Sequence, residues 1–114
     1  MTIRATDALA EMVKEALRLV IDPELGGNIV ELGLIYYVAV HEHGVAHIVM
    51  TTTTPGCPAT AYLKDGVRDS AWSVPGIESV HVAVTHDPPW TPAMMSPDAR
   101  LRLGIADRRR WALG

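Results

Sequence analysis

The chain has one cysteine among its 114 residues, Cys57, set in Thr51-Thr52-Thr53-Thr54-Pro55-Gly56-Cys57-Pro58. Proline suits the first position of a helix, so the pattern places Cys57 at or next to a helix N-cap. The unpaired amides and dipole there favour a thiolate, which predicts a lowered thiol pKa and a group able to bind metal or attack an electrophile. The plainer reading is a small buried hydrophobe, the usual state of a free cysteine. The threonines offer two readings as well. They finish a strand and lead into the helix, or their hydroxyls and the following amides line a small anion or ligand pocket around Cys57.

Asp22-Pro23-Glu24 is the second polar focus. Two carboxylates in a turn-rich loop can accept hydrogen bonds, ligate a hard cation or orient a neighbour. Their simplest role is ending a helix and solvating the loop. Trp90, after Asp87-Pro88-Pro89, serves either as an exposed anchor for a partner or as a cap on one end of the core. The five histidines lack helical spacing or cysteine companions, so they read as solvent-facing strand and turn residues with no zinc signature. A cysteine–histidine hydrolase would need His86 to fold back to Cys57. Walker, dinucleotide-binding and Gly-x-Ser-x-Gly motifs are absent.

The elements that must position these groups follow from periodicity. Leu9, Met12, Val13, Ala16, Leu17 and Val20 predict a helix over about residues 6–21, with Thr6 as N-cap and a stop before Pro23. Residues 35–40 and 45–50 are β-rich runs joined through Gly44, a hairpin. Ala59, Tyr62, Leu63, Gly66, Val67, Ala71 and Val74 predict a second helix ending at Pro75-Gly76. Alternating Val80, Val82 and Val84 make a third strand, and Ser96-Pro97-Asp98 caps a short helix. The fold class is α+β: a mixed three-stranded sheet with helices on one face.

Composition sets the bounds. Hydrophobic residues form 48% and charged ones 20% of the chain, enough for one folded domain and too little length for two. A single cysteine excludes an intramolecular disulfide and any four-thiolate site built by one chain. Neither a membrane-span pattern nor a signal pattern is present, so the expectation is a soluble, cytoplasmic protein with a reduced thiol and no membrane partner. Residues 1–99 carry five basic and twelve acidic side chains, which argues against nucleic acid as a partner. Residues 100–114 carry five arginines and one aspartate. The expected organisation is one domain over 1–104 and an arginine-rich tail over 105–114.

Taken in order, Asp22-Pro23-Glu24, Ile29-Val30-Glu31-Leu32-Gly33-Leu34-Ile35, the threonine run through Cys57-Pro58, Pro75-Gly76 and Asp87-Pro88-Pro89-Trp90 resemble a known family. It is the small iron–sulfur assembly domain of SufT, of PaaD-type accessory proteins of aromatic-ring oxygenases and of eukaryotic cytosolic cluster-targeting proteins. The resemblance covers about residues 8–104. It implies an α/β domain related to the C-terminal domain of the NifU scaffold. It further implies that Cys57 is the functional cysteine, with Asp22, Pro23, Glu24, Thr51, Thr53 and Pro58 in support. The implied role is accessory: iron–sulfur cluster assembly or delivery to client proteins, including a ring-oxygenase system, without turnover of a small substrate. Full-length PaaD proteins carry a further cysteine-rich segment; here Arg108-Arg109-Arg110-Trp111 stand instead.

A cluster usually takes four thiolates, and one chain supplies one. The expectation is therefore transient, shared ligation of an iron–sulfur cluster or iron by Cys57, with no stable cofactor. Partners would be client proteins or assembly factors, and a second copy could cover an open sheet edge. Two alternatives stand beside this. One is an adaptor that grips partners through Trp90, Met94 and Met95 without touching a cluster. The other is a thiol-dependent enzyme.

Overall fold

The computed structural model describes residues 5–104. The expected arginine-rich tail over 105–114 lies outside them. Helix α1 spans Ala5–Leu17, strands β1 and β2 span Ile35–His41 and Val45–Met50, helix α2 spans Thr60–Trp72, strand β3 spans Ser79–Val84 and helix α3 spans Pro97–Arg102. The sheet order is β1-β2-β3, antiparallel between β1 and β2 and parallel between β2 and β3. The expected mixed sheet is thus present, and α2 is the crossover that a parallel pair requires.

Alternation along the strands decides which face is covered. Ala46, Ile48 and Met50 on β2 and Val80 on β3 are buried, whereas His47 and His81 between them are exposed. Val13 and Leu17 of α1 and Leu63, Val67 and Ala71 of α2 complete the core against that face, each fully buried. Helix α1 packs on β1 and α2, and α2 packs on β3. No helix among the described residues is long and apolar enough to cross a membrane.

Helix α1 ends about a turn earlier than its apolar stripe suggests, and Thr6 lies inside it rather than at its cap. Arg18, Leu19 and Val20 donate to carbonyls three residues back, which tightens the chain out of the α conformation. The Val20 carbonyl then accepts from Ile29 N at 3.0 Å and Ile21 bridges to Asn28. Val20 keeps its place in the core, but from a loop. The side chain of Gly66 is missing where Val20 packs: a Cβ there would lie 3.2 Å from Val20 Cγ1.

The hairpin turn is a short 3-10 segment, Glu42–Gly44. Gly44 has φ +72°, and a Cβ on it would collide with the Gly76 carbonyl oxygen, so only glycine fits. Its own carbonyl accepts from Glu78 N at 2.8 Å, joining this turn to the segment that leads into β3.

Candidate functional site

Three loops meet beyond the C-terminal ends of β2 and β3. The first, after α1, is folded by Asp22. Its backbone N–H donates to Gly27 O at 2.9 Å, its carbonyl accepts from Gly26 N at 2.8 Å, and its Oδ2 accepts from Leu25 N at 2.8 Å. Asp22 is 2% exposed, so this carboxylate is a structural part of the loop as well as a local negative charge. Pro23 and Glu24 are exposed at the tip.

The second loop continues β2. Thr51 and Thr52 are buried, and Thr51 N donates to Leu34 O at 2.8 Å. Thr51 Oγ1 donates to Thr52 O at 3.3 Å and Thr52 Oγ1 to Thr54 O at 2.7 Å. Both hydroxyl hydrogens are therefore spent inside the loop, which removes them as donors to an anion. Thr53, next along, is half-buried.

Cys57 is not the N-cap of α2. The helix begins at Thr60, and the cap residue Ala59 makes no side-chain cap bond. Cys57 O instead accepts from Thr60 N at 3.0 Å and from Thr60 Oγ1 at 2.7 Å, a turn placed just before the helix, with Pro58 exposed beside it. This frees the thiol to point elsewhere. Cys57 Sγ donates to Glu24 Oε1 at 2.8 Å, across 33 positions of sequence.

That contact reverses the expected electrostatics. The Glu24 carboxylate accepting its proton pushes the Cys57 thiol up, burial pushes it further, and the negative charges of Glu24 and Asp22 add to both. A contact with the Ala59 backbone opposes them and is outweighed. The residue is 6% exposed. The resting group is a protonated thiol held against a carboxylate, unlike the activated thiolate that a helix N-terminus produces.

The third loop follows β3, where Thr85 N donates to Met50 O at 2.9 Å. His86 Nε2 lies 2.9 Å from Thr52 Oγ1. Since the Thr52 hydroxyl donates to Thr54 O, it accepts from His86, which fixes the proton on Nε2. Thr52 and His86 were not singled out by sequence as a pair; nothing in their local pattern links positions so far apart. His86 fastens the cysteine loop, and its hydrogen-bond partner is Thr52.

Trp90 turns inward. It packs against the core, and its indole N–H donates to Leu32 O at 2.7 Å. Met95 is buried, and Met94 Sδ lies 3.5 Å from the Tyr36 hydroxyl, which donates to Pro88 O at 2.8 Å. The three side chains expected to form an adaptor's contact surface are largely committed to packing. Among the described residues no three His, Cys, Asp or Glu side chains are gathered to hold a metal ion by themselves.

The family model for iron–sulfur cluster assembly proteins matches residues 10–84, which include all of the first two loops and the three strands. The chain belongs to that family. The Fe–S protein maturation auxiliary factor YitW of Bacillus subtilis is 42% identical to it over 99 residues, 87% of this chain and 97% of the relative. The auxiliary factor SufT of Staphylococcus aureus is 43% identical over 88 residues, 77% of this chain and 100% of that protein. A crystal structure of a domain of unknown function, DUF59, from Bacillus anthracis superposes with a TM-score of 0.84 at 38% identity, covering 89% of this chain and 96% of that one. The iron–sulfur assembly family and the α+β architecture expected from the motifs are therefore both established.

Proposed function

We propose that this protein is an accessory factor of iron–sulfur cluster maturation in which Cys57 and Glu24 together take iron, or one corner of a cluster, and pass it to a client protein. The observation that carries the reading is the 2.8 Å contact between Cys57 Sγ and Glu24 Oε1. A thiol and a carboxylate side by side offer one soft and one hard donor, a pair that suits iron. Iron binding replaces the thiol proton: the Sγ–H bond breaks, an Sγ–metal bond forms, and the proton leaves, directly or by way of Glu24, to water. The carboxylate beside it then ligates or balances the cation. Asp22 shapes the loop that presents Glu24, Thr51 and Thr53 belong to the segment that carries Cys57, and Pro58 starts the turn leading away from it.

One thiolate is far short of a cluster's usual ligand set, so the remaining ligands come from the client, a small thiol or a second copy of the chain. Ligation of this kind is temporary, and cargo passes on rather than residing. The names of the relatives, auxiliary factors of maturation, support an accessory rather than a catalytic role. A thiol held protonated also counts against a nucleophilic enzyme. The client remains an iron–sulfur protein or an assembly factor, a ring-oxygenase system being one such setting.

Anaerobic reconstitution with iron and sulfide, read by absorbance and by iron and sulfide content, tests the proposal. The expected result is iron-dependent absorbance that is transferred to an apo client and is lost in Cys57→Ser, with weakened uptake in Glu24→Gln. A stable, fully occupied cluster on Cys57→Ser would remove Cys57 from the mechanism.

A further inference from the structure

The face of the sheet opposite the helices carries a row of imidazoles. His47 and His81 are Cα partners in the parallel β2–β3 ladder, and their rings stack at 5.0 Å between centroids with 19° between planes. His41, at the end of β1, meets the other side of His47 edge-on, also at 5.0 Å. All three are exposed. Around them the same face presents Ala39, Val45, Val49, Ser79, Ala83 and Tyr37, so no carboxylate or ammonium from these strands stands among the rings.

We propose that His47 and His81 form a two-imidazole chelating site for a divalent transition cation of the zinc, copper(II) or nickel class. Imidazole is the side chain these metals prefer, and a site with neither thiolate nor carboxylate selects them over magnesium, calcium and manganese. The rings as they stand face one another, so their nitrogens do not yet converge. Exposed side chains change rotamer on the picosecond to nanosecond scale. Rotation of both rings from stacked to edge-on turns a nitrogen of each toward the gap, where two bonds of about 2.0–2.1 Å would close the chelate. Neighbouring strands lie about 4.7–4.9 Å apart, which sets the span such a chelate must bridge. The backbone need not move. Water fills the other positions.

This site is independent of the Cys57–Glu24 pair, and the test separates them. Cys57→Ser protein, which lacks the thiol, is titrated with zinc sulfate by calorimetry, while the imidazole resonances are followed by NMR. The expected result is one cation per chain with His47 and His81 resonances moving together. His81→Ala or His47→Ala in that background should weaken binding by about tenfold or more, at least as much as losing an outer-shell partner does at other metal sites. The double variant should lose the site, with an unchanged circular-dichroism spectrum showing that it folds. Absence of binding at millimolar cation, or binding by the double variant equal to that of its parent, overturns the proposal.

Discussion

A small residue and a proline stand at the approach to both α2 and α3, Cys57-Pro58 and Ser96-Pro97, yet the helices begin differently. At α3 the Ser96 hydroxyl accepts from Ala99 N at 3.1 Å and the helix starts at Pro97, as the sequence signature says it should. At α2 the cysteine does no capping, the helix is delayed to Thr60, and the thiol reaches across to Glu24. A thiol is a poor acceptor for an amide, so the chain spends a turn before the helix can form. The capped start is a stability device. The uncapped one leaves its side chain free to meet Glu24, and its backbone carbonyl is held by Thr60 at the start of the helix.

Three substitutions sharpen that contrast. The largest effect is expected at Asp22, which supports the cysteine side from outside the helix. Asp22→Ala removes the acceptor for Leu25 N and leaves that part-buried N–H unpaired, a loss of about 1–3 kcal/mol in urea unfolding. Next comes Ser96→Ala, with a loss of about 1 kcal/mol, seen as a few degrees in the thermal midpoint. Iron uptake should be unchanged in Ser96→Ala; equal impairment there and in Cys57→Ser would break the distinction drawn between the two helix starts.

The smallest stability change belongs to Glu24→Gln, within about 0.5 kcal/mol because the residue is exposed. Its signature is in titration. Iodoacetamide alkylation of Cys57 followed against pH should shift to lower pH in this variant, because the carboxylate that holds the proton is gone. An unshifted profile would mean that Glu24 does not govern the thiol. The sign of the linkage follows from the same contact. The folded state binds the thiol proton more tightly than the unfolded chain does, so this contribution to stability is complete below the ordinary thiol value of about 8.5. It is lost as pH rises through the higher folded-state value.

Much of the fold was legible because its signals are local. β2 falls on residues 45–50 as its alternation requires, β3 and α3 lie within a residue or two of expectation, and the Ser96 cap is the one named beforehand. The ends that slipped were decided at a distance. Val20 continues the helical stripe, but the pairing of its carbonyl with Ile29 N ends α1 early. The site was half legible. Residue types and order pointed to Cys57, Asp22 and Glu24, whereas the contact between them, and the sign it gives the thiol, depend on loops 33 positions apart. The Thr52–His86 bond is a long-range pair of the same kind, separated by 34 positions. In the sequence Trp90 is open to two readings, a partner anchor or a cap on the core, and its packing and its bond to the Leu32 carbonyl fit the cap.

The crossing of Gly44 against Gly76 acts as a length gauge for the chain. Because two backbones touch there with no room for a side chain, an added residue in either turn would displace the start of β3 along β2. Such a slip by one position would take His81 off His47 and turn the buried Val80 outward. Gly26 and Gly56, where an added Cβ meets nothing within 4 Å, carry no such restriction of space. Their φ angles of +79° and +74° still call for glycine, so the loops that present Glu24 and Cys57 are held by backbone conformation, whereas the strand register is held by contact.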